Sequence, residues 1–332
     1  MRLRVLSGTD IERALPMAEA IEAVGLAFME IVRGRALAPP RSSLATGQGV
    51  SLVMSAHLPD LPGGAGLSLK VVSVYPANPG RGLPTIHSLA LLLDDQTGAP
   101  LALLEGARLT ALRTGAASGA ATRLLAPPRA RTLALLGAGG QAWDQVRAVL
   151  AVRPIEELRV YTPSGESARR LAERAGRQWP GLRAFAVDSA ARALAGAEVV
   201  CCATTSRAPV FGPADLTPGA HVNGVGSFTP EMLEVPAAGL LAREPDLGIF
   251  IDEARMTWLE AGELIAARDQ GLLDPARVVE LGRVLMGEHP GRAAPGQTTF
   301  FKSVGLAAQD AAAGRAALAR AESLGLGVLL EL

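Results

Sequence analysis

Apolar residues recur at helical spacing near the start of the chain. Met17, Ile21, Val24, Phe28 and Ile31 fall on one face, and Pro16 stands where a first-turn proline is tolerated. The pattern predicts an amphipathic helix. Four β-like runs follow, at 50–55, 67–75, 88–93 and 100–104. Asp94-Asp95-Gln96-Thr97-Gly98 separates the last two and reads as a hairpin turn. Strands in succession without intervening helices predict an antiparallel or mixed sheet. A helix over 109–125 is then stopped by Pro127-Pro128.

From Arg131 the pattern alternates. Strands are predicted at 132–136, 158–161, 184–187, 198–204, 221–225 and 248–252, with helices at 142–152, 164–179 and 189–195. Alternating strands and helices imply right-handed crossovers. The fold class is therefore α/β: a Rossmann-type, doubly wound parallel sheet beside an α+β domain. A final helix at 304–324 and the β-like Val328-Leu329-Leu330 lie beyond the alternating unit and return to the first domain. The expected domains are residues 1–118 with 306–332, and 119–305. There is no internal repeat and no low-complexity tract.

Composition narrows the function. Thirty-two basic and 32 acidic residues cancel, and no basic stripe stands out, so nucleic acid and anionic membrane are not expected partners. Cys201 and Cys202, the only cysteines, are adjacent. That excludes a disulfide framework and a zinc-finger spacing, and suits a reducing cytoplasm. They read as buried strand residues, and no metal site is expected. The first residues lack the apolar core of a signal peptide, and no run of about 18 apolar residues predicts a membrane span.

The segment Leu136-Gly137-Ala138-Gly139-Gly140-Gln141-Ala142 ends a strand and opens a helix. A dinucleotide's pyrophosphate needs that order. The first glycine turns sharply, the second admits the phosphates, and the helix start offers amide groups and its positive dipole end. Ala142 takes the place of the third glycine, which the pattern tolerates. An NAD-selective site places Asp or Glu at the end of the next strand. Here that strand ends Tyr161-Thr162-Pro163-Ser164, with Arg169 and Arg170 following. Hydroxyls and arginines suit a 2′-phosphate, so NADP(H) is the preferred cofactor and NAD(H) a possible one. Ala203, Thr204 and Thr205 follow a later strand, at the edge where doubly wound sheets bind ligands. Gly224 and Val225 end the next strand and are placed near the nicotinamide.

Three cations occupy unusual positions. Arg41 follows Pro39-Pro40, Lys70 interrupts the apolar run Leu67–Val72, and Arg113 lies in a helix of small apolar residues. Singly, Arg41 reads as a loop residue, Lys70 as an outward strand residue and Arg113 as a partner for Glu105. Together they would form a carboxylate clamp, in which arginine offers a bidentate fork and lysine a point charge able to move a proton.

The segments Pro39-Pro40-Arg41, Gly82-Leu83-Pro84-Thr85-Ile86-His87, Leu112-Arg113-Thr114-Gly115-Ala116-Ala117, Gly137 to Ala142, Val222-Asn223-Gly224-Val225-Gly226-Ser227 and Asp252-Glu253-Ala254, in this order, resemble the ornithine cyclodeaminase/mu-crystallin family. The resemblance covers nearly the whole chain. It implies an NAD(P)-dependent homodimer, with the first domain binding substrate and the second the cofactor. It also implies small α-amino or α-imino acid substrates. Arg41, Lys70 and Arg113 match the family's substrate and catalytic positions. His87, Ser227 and Phe228 are expected near the substrate, and Thr114 and Lys302 near the cofactor.

One departure redirects the chemistry. Cyclodeaminases carry an aspartate two residues after the glycine matching Gly226, and this chain has Phe228 there. Phenylalanine neither takes a proton nor accepts a hydrogen bond from an ammonium group. The expected activity is reduction of cyclic ketimines: Δ1-pyrroline-2-carboxylate to L-proline, and Δ1-piperideine-2-carboxylate to L-pipecolate. The alternatives are ornithine cyclodeaminase, an alanine or N-alkyl amino acid dehydrogenase, and a non-catalytic mu-crystallin-like binding protein.

Overall fold

A computed structural model describes residues 2–331. Met1 and Leu332, included in the expected domain ranges, lie outside the described residues. The chain divides into two compact units, Met1–Arg113 with Leu306–Leu332, and Thr114–Gly305.

The first unit opens with β1 (Arg2–Leu6), α1 (Gly8–Ala14) and α2 (Met17–Val32). Ser7 caps α1 by a reciprocal pair of bonds with Asp10, satisfying amides that a helix start leaves unpaired. The strands β2 (Ser42–Ala45), β3 (Val50–Leu58), β4 (Gly66–Val74), β5 (Ile86–Leu93) and β6 (Pro100–Glu105) follow, then α3 (Gly106–Leu125), which crosses the boundary between the units.

The second unit alternates as expected. Its elements are β7 (Thr132–Leu136), α4 (Ala142–Val152), β8 (Glu157–Tyr161), α5 (Glu166–Gln178), β9 (Arg183–Ala186), α6 (Ala190–Leu194), β10 (Val199–Cys202) and β11 (His221–Gly224). Shorter pieces come next: α7 (Ala237–Arg243), β12 (Gly248–Ile251), α8 (Ala254–Glu260), α9 (Gly262–Asp269), β13 (Val278–Glu280), α10 (Leu281–Leu285) and β14 (Thr299–Lys302). The chain then returns to the first unit through α11 (Ala307–Ser323) and β15 (Val328–Glu331).

The first sheet has the order β15-β1-β6-β5-β4-β3-β2 and is antiparallel except between β1 and β6. Side chains alternate across a strand, so each residue's face follows from register. Lys70 pairs with Met54 and Ala90, and all three are buried. Leu69, Val71 and Leu89 point the other way and are exposed.

The second sheet is parallel throughout, in the order β13-β12-β14-β11-β10-β7-β8-β9. Its central strands β7 and β10 are buried on both faces, which explains why they read as short continuous apolar runs. Leu133, Leu135, Val160, Val199 and Cys201 pack against Val146 and Val149 of α4. Burial pushes the Cys201 thiol up to about 12 and raises the Cys202 thiol well above its usual range, so both stay protonated and unreactive. Among the described residues no helix is long and apolar enough to cross a membrane.

Candidate active site

Lys70 sits on β4 inside the first unit, 1% exposed. Its ammonium donates to Asp310 Oδ2 at 2.5 Å and to Thr110 Oγ1 at 3.3 Å. Arg113, on α3 and also buried, donates from Nε to Asp310 Oδ1 at 3.0 Å and from Nη1 to Gln309 Oε1 at 2.7 Å. One carboxylate at the start of α11 thus bridges two cations that the sequence separates by about forty residues. Glu105, the alternative partner for Arg113, instead accepts the amides of Ala107 and Arg108.

The electrostatics follow from this enclosure. Burial pulls Lys70 down to about 8, helped by the charges of Arg113 and Arg41 and opposed by Asp310. Arg41 therefore belongs to the same electrostatic cluster. Burial alone would raise Asp310, but Arg113 and Lys70 outweigh it and hold the carboxyl below its usual range. Each cation keeps donors in reserve. An ammonium has three N–H groups and a guanidinium five. Lys70 retains one beyond Asp310 and Thr110. With its Nε edge taken, Arg113 can meet a carboxylate only end-on, through its terminal nitrogens. Gln309 Nε2, beside it, is buried without a partner.

His87 does not join this cluster. It pairs with Ser73 across β4 and β5 and so lies on the face of Val71 and Leu89, opposite Lys70. Strand alternation, which resemblance alone does not weigh, sends it there.

The second unit carries the glycine turn at the end of β7. Gly137 has φ +98°, and a Cβ there would lie 2.5 Å from the Ala203 carbonyl, so only glycine fits. At Gly139 and Gly140 a Cβ would meet nothing within 4 Å, which leaves the turn open to a ligand. Ala142 opens α4, Gln141 precedes it without a side-chain cap, and Gln141 Oε1 is buried without a partner. Open backbone and an uncapped helix start, with its free amide donors, fit a pyrophosphate. Gly115, next to Thr114, packs so closely on α4 that a Cβ would lie 2.5 Å from the Asp144 carbonyl.

Tyr161 ends β8, and no carboxylate stands between it and Glu166. Thr162 accepts from the Ser167 hydroxyl at 3.2 Å. Arg169 folds back over the Ser164-Gly165 turn, its Nη1 3.4 Å from where a Gly165 Cβ would be, whereas Arg170 is taken by Glu166. Ala203, Thr204 and Thr205 leave β10, and Gly224 and Val225 leave β11 beside them.

Two expected contacts change character. The Ser227 hydroxyl is fully buried and bonded to Glu263 at 2.7 and 2.9 Å. The Lys302 ammonium, also fully buried, donates to the Ser227 carbonyl at 2.7 Å and to its hydroxyl, and lies 3.5 Å from Glu263. Both side chains turn inward, so direct contact with substrate or cofactor gives way to support of the loop that carries half-buried Phe228. A buried ammonium needs a carboxylate partner, and Glu263 supplies it.

Asp310, Gln309, Glu234 and Glu263 were not singled out in the sequence. The usable signal was the demand that buried cations make for buried anions.

The family model for the ornithine cyclodeaminase/mu-crystallin family matches residues 2–324. A Δ1-pyrroline-2-carboxylate reductase of Bacillus cereus is 36% identical over 98% of this chain and 99% of the relative. The structure of a Thermococcus litoralis Δ1-pyrroline-2-carboxylate reductase, in complex with NADH and L-proline, superposes with a TM-score of 0.91 at 35% identity, covering 98% of this chain and 99% of that one. An archaeal alanine dehydrogenase dimer with bound NAD gives a TM-score of 0.89 at 30% identity, covering 100% of both chains. Fold and site define a two-unit protein with a Rossmann-type sheet and a buried cationic cluster. The chain belongs to the ornithine cyclodeaminase/mu-crystallin family.

Proposed function

We propose that this protein is an NAD(P)H-dependent reductase of small cyclic α-imino acids. It converts Δ1-pyrroline-2-carboxylate to L-proline and Δ1-piperideine-2-carboxylate to L-pipecolate. The observation that carries this reading is the pair Lys70 and Arg113, buried on one carboxylate with donors left over. Solvent-excluded cations with spare donors suit a small carboxylate. When bound, the reduced nicotinamide supplies a hydride to C2 of the imino acid. Arg113 grips the substrate carboxylate end-on, and Arg41 adds its charge. Lys70 holds a proton at Nζ with an affinity close to neutrality, so it can keep the ring nitrogen protonated while the C=N bond accepts the hydride. A cationic iminium is already electrophilic. No carboxylate base is needed at the position of Phe228.

Within this reading the preferred cofactor is NADPH. Arg169 over the turn after β8, beside Thr162 and Ser164 and with no carboxylate at the strand end, suits a 2′-phosphate. The protein acts as a homodimer. The face of the first sheet away from Lys70 exposes Leu44, Val53, Leu69, Val71 and Leu89, and a second copy of this chain covers it. Free, buried Cys201 and Cys202 fit a reducing cytoplasm.

The test is a substrate panel read by loss of reduced nicotinamide absorbance. Cyclic imino acids should be reduced faster than pyruvate with ammonia, and ornithine with NAD+ should release no ammonia. Turnover of ornithine, or none of the imino acids, overturns the proposal.

A further inference from the structure

Beyond the last paired residues of β10 and β11, Cys202 and Gly224, the sheet ladder ends and the amides of Thr204, Gly226 and Ser227 need other partners. Glu234, in the segment between β11 and α7, supplies them. It is fully buried. Its Oε2 accepts from the Thr204 amide at 2.8 Å and the Thr204 hydroxyl at 3.1 Å. Its Oε1 accepts from the amides of Gly226 at 2.6 Å and Ser227 at 3.3 Å. The approach is tight. A Cβ on Gly226 would lie 2.1 Å from the Thr204 carbonyl oxygen, 2.3 Å from its nitrogen and 2.6 Å from Glu234 Oε2. Ser227, Glu263 and Lys302 form a second layer that ties the same loop to the end of β14.

Strand order says what this loop faces. From β7 the chain runs outward to β8 and β9, then returns to β10 on the other side of β7. In such a sheet the ligand lies at the carboxyl ends of the strands, where the order reverses. The glycine turn after β7 takes the pyrophosphate, and the adenosine half falls over β8. The nicotinamide half therefore falls over the ends of β10 and β11, which Glu234 joins.

We propose that Glu234 is a positioning residue for the nicotinamide half of the cofactor, fixing the Thr204 and Gly226–Ser227 backbones in the shape that receives it. The proposal rests on the cofactor reading above. It assigns Glu234 no contact with the imino acid and no proton transfer.

Glu234→Gln keeps the volume but turns an amide N–H₂ toward backbone N–H donors. Binding is measured on the folded full-length protein, with no substrate present. NADPH is titrated by its fluorescence, and 2′-phospho-ADP-ribose, which lacks the nicotinamide, by calorimetry. An unsatisfied buried donor should weaken NADPH by about tenfold or more and leave the fragment within about twofold. Glu234→Asp, which keeps the carboxylate, should recover part of the loss. Ser227→Ala, which leaves Glu234 intact and removes only the second-layer hydroxyl, should give a smaller loss in the same direction. It also keeps the proposal testable should Glu234→Gln fail to fold. Equal weakening of both ligands would mean a general structural role and overturn the proposal, as would wild-type affinity for both. Wild-type protein that binds neither ligand would overturn the cofactor reading itself.

Discussion

Replacing Asp310 with asparagine probes the centre of the cationic cluster. The native carboxylate accepts from Lys70 at 2.5 Å and from Arg113 at 3.0 Å, in a site that is 1% exposed at Asp310. Asparagine keeps the shape, removes the charge and sets an N–H₂ against one of the two donors. Breaking a buried ion pair by removing one partner costs about 3–5 kcal/mol. Lys70 has a way to limit that cost. Because it titrates at about 8, its neutral form at pH 7 lies only about 1.4 kcal/mol above the charged form. Asp310 is what holds this pKa up, while burial, Arg113 and Arg41 pull it down. Without Asp310 the neutral amine prevails at pH 7, so the loss of stability should fall at the low end, about 3 kcal/mol.

The sign of the pH dependence follows. Lys70 is depressed in the folded chain relative to about 10.4 in an unfolded one. Its penalty is therefore full below pH 8 and is relieved as pH rises from about 8 to about 10.4. In the proposed mechanism turnover runs the other way, since the protonated form of Lys70 is lost above pH 8. Wild-type kcat/KM should be level below that point and fall above it. In Asp310→Asn the fall should begin below about pH 7, and part of the activity should return in more acid buffer. Urea unfolding and a pH profile of kcat/KM measure the two effects separately. An unmoved basic limb, or unchanged stability, would refute the reasoning.

Three other outcomes are expected. Arg169→Ala should raise KM for NADPH by roughly 10-fold to 100-fold and leave NADH within about twofold, as loss of a charge-assisted bond to phosphate predicts; equal effects on both cofactors would count against the 2′-phosphate contact. Arg113→Lys should lower kcat/KM by about 100-fold even though charge is kept, because an ammonium cannot hold Asp310 and Gln309 and still offer a fork, and steady-state kinetics will show it. Leu89→Asp should convert the proposed dimer to a monomer in sedimentation analysis by placing a charge on the open sheet face.

Periodicity made much of the fold legible. The run over 133–136 was readable because a strand buried on both faces tends to be apolar throughout, whereas 158–161 and 221–225 carry Arg159, His221 and Asn223 and were legible from their place in the strand–helix alternation. Other elements gave no such sign. The strand β1 begins Arg2-Leu3-Arg4, and pairing with β15 and β6 makes it a strand. The four residues of β14 lie between β11 and β12, far from both in sequence. The pieces α7 to α10 are too short for a 3.6-residue period to declare itself.

The site was half legible for a related reason. Lys70 and Arg113 each had an ordinary reading alone, and stood out because two cations in apolar surroundings, taken with Arg41, suggest a shared anionic partner. Asp310 did not, since an acidic residue in the first turn of a helix already has one in the helix dipole. That explanation fails for α11. Ala307, Ala308, Ala311 and Ala312 around it are all buried, so the carboxylate has no solvent to face. Composition held a second clue. Every basic residue of the chain is arginine except Lys70 and Lys302, and both are buried on carboxylates. A chain that meets its surface needs with arginine retains lysine where a compact charge with an adjustable proton is required. In the proposed mechanism Lys70 uses that property, and Lys302 uses the compactness to brace the Ser227 loop. A charge buried at one point obliges an opposite charge buried near it. Applied to these two lysines, that rule calls for two enclosed carboxylates, and Asp310 and Glu263 are the residues that answer it.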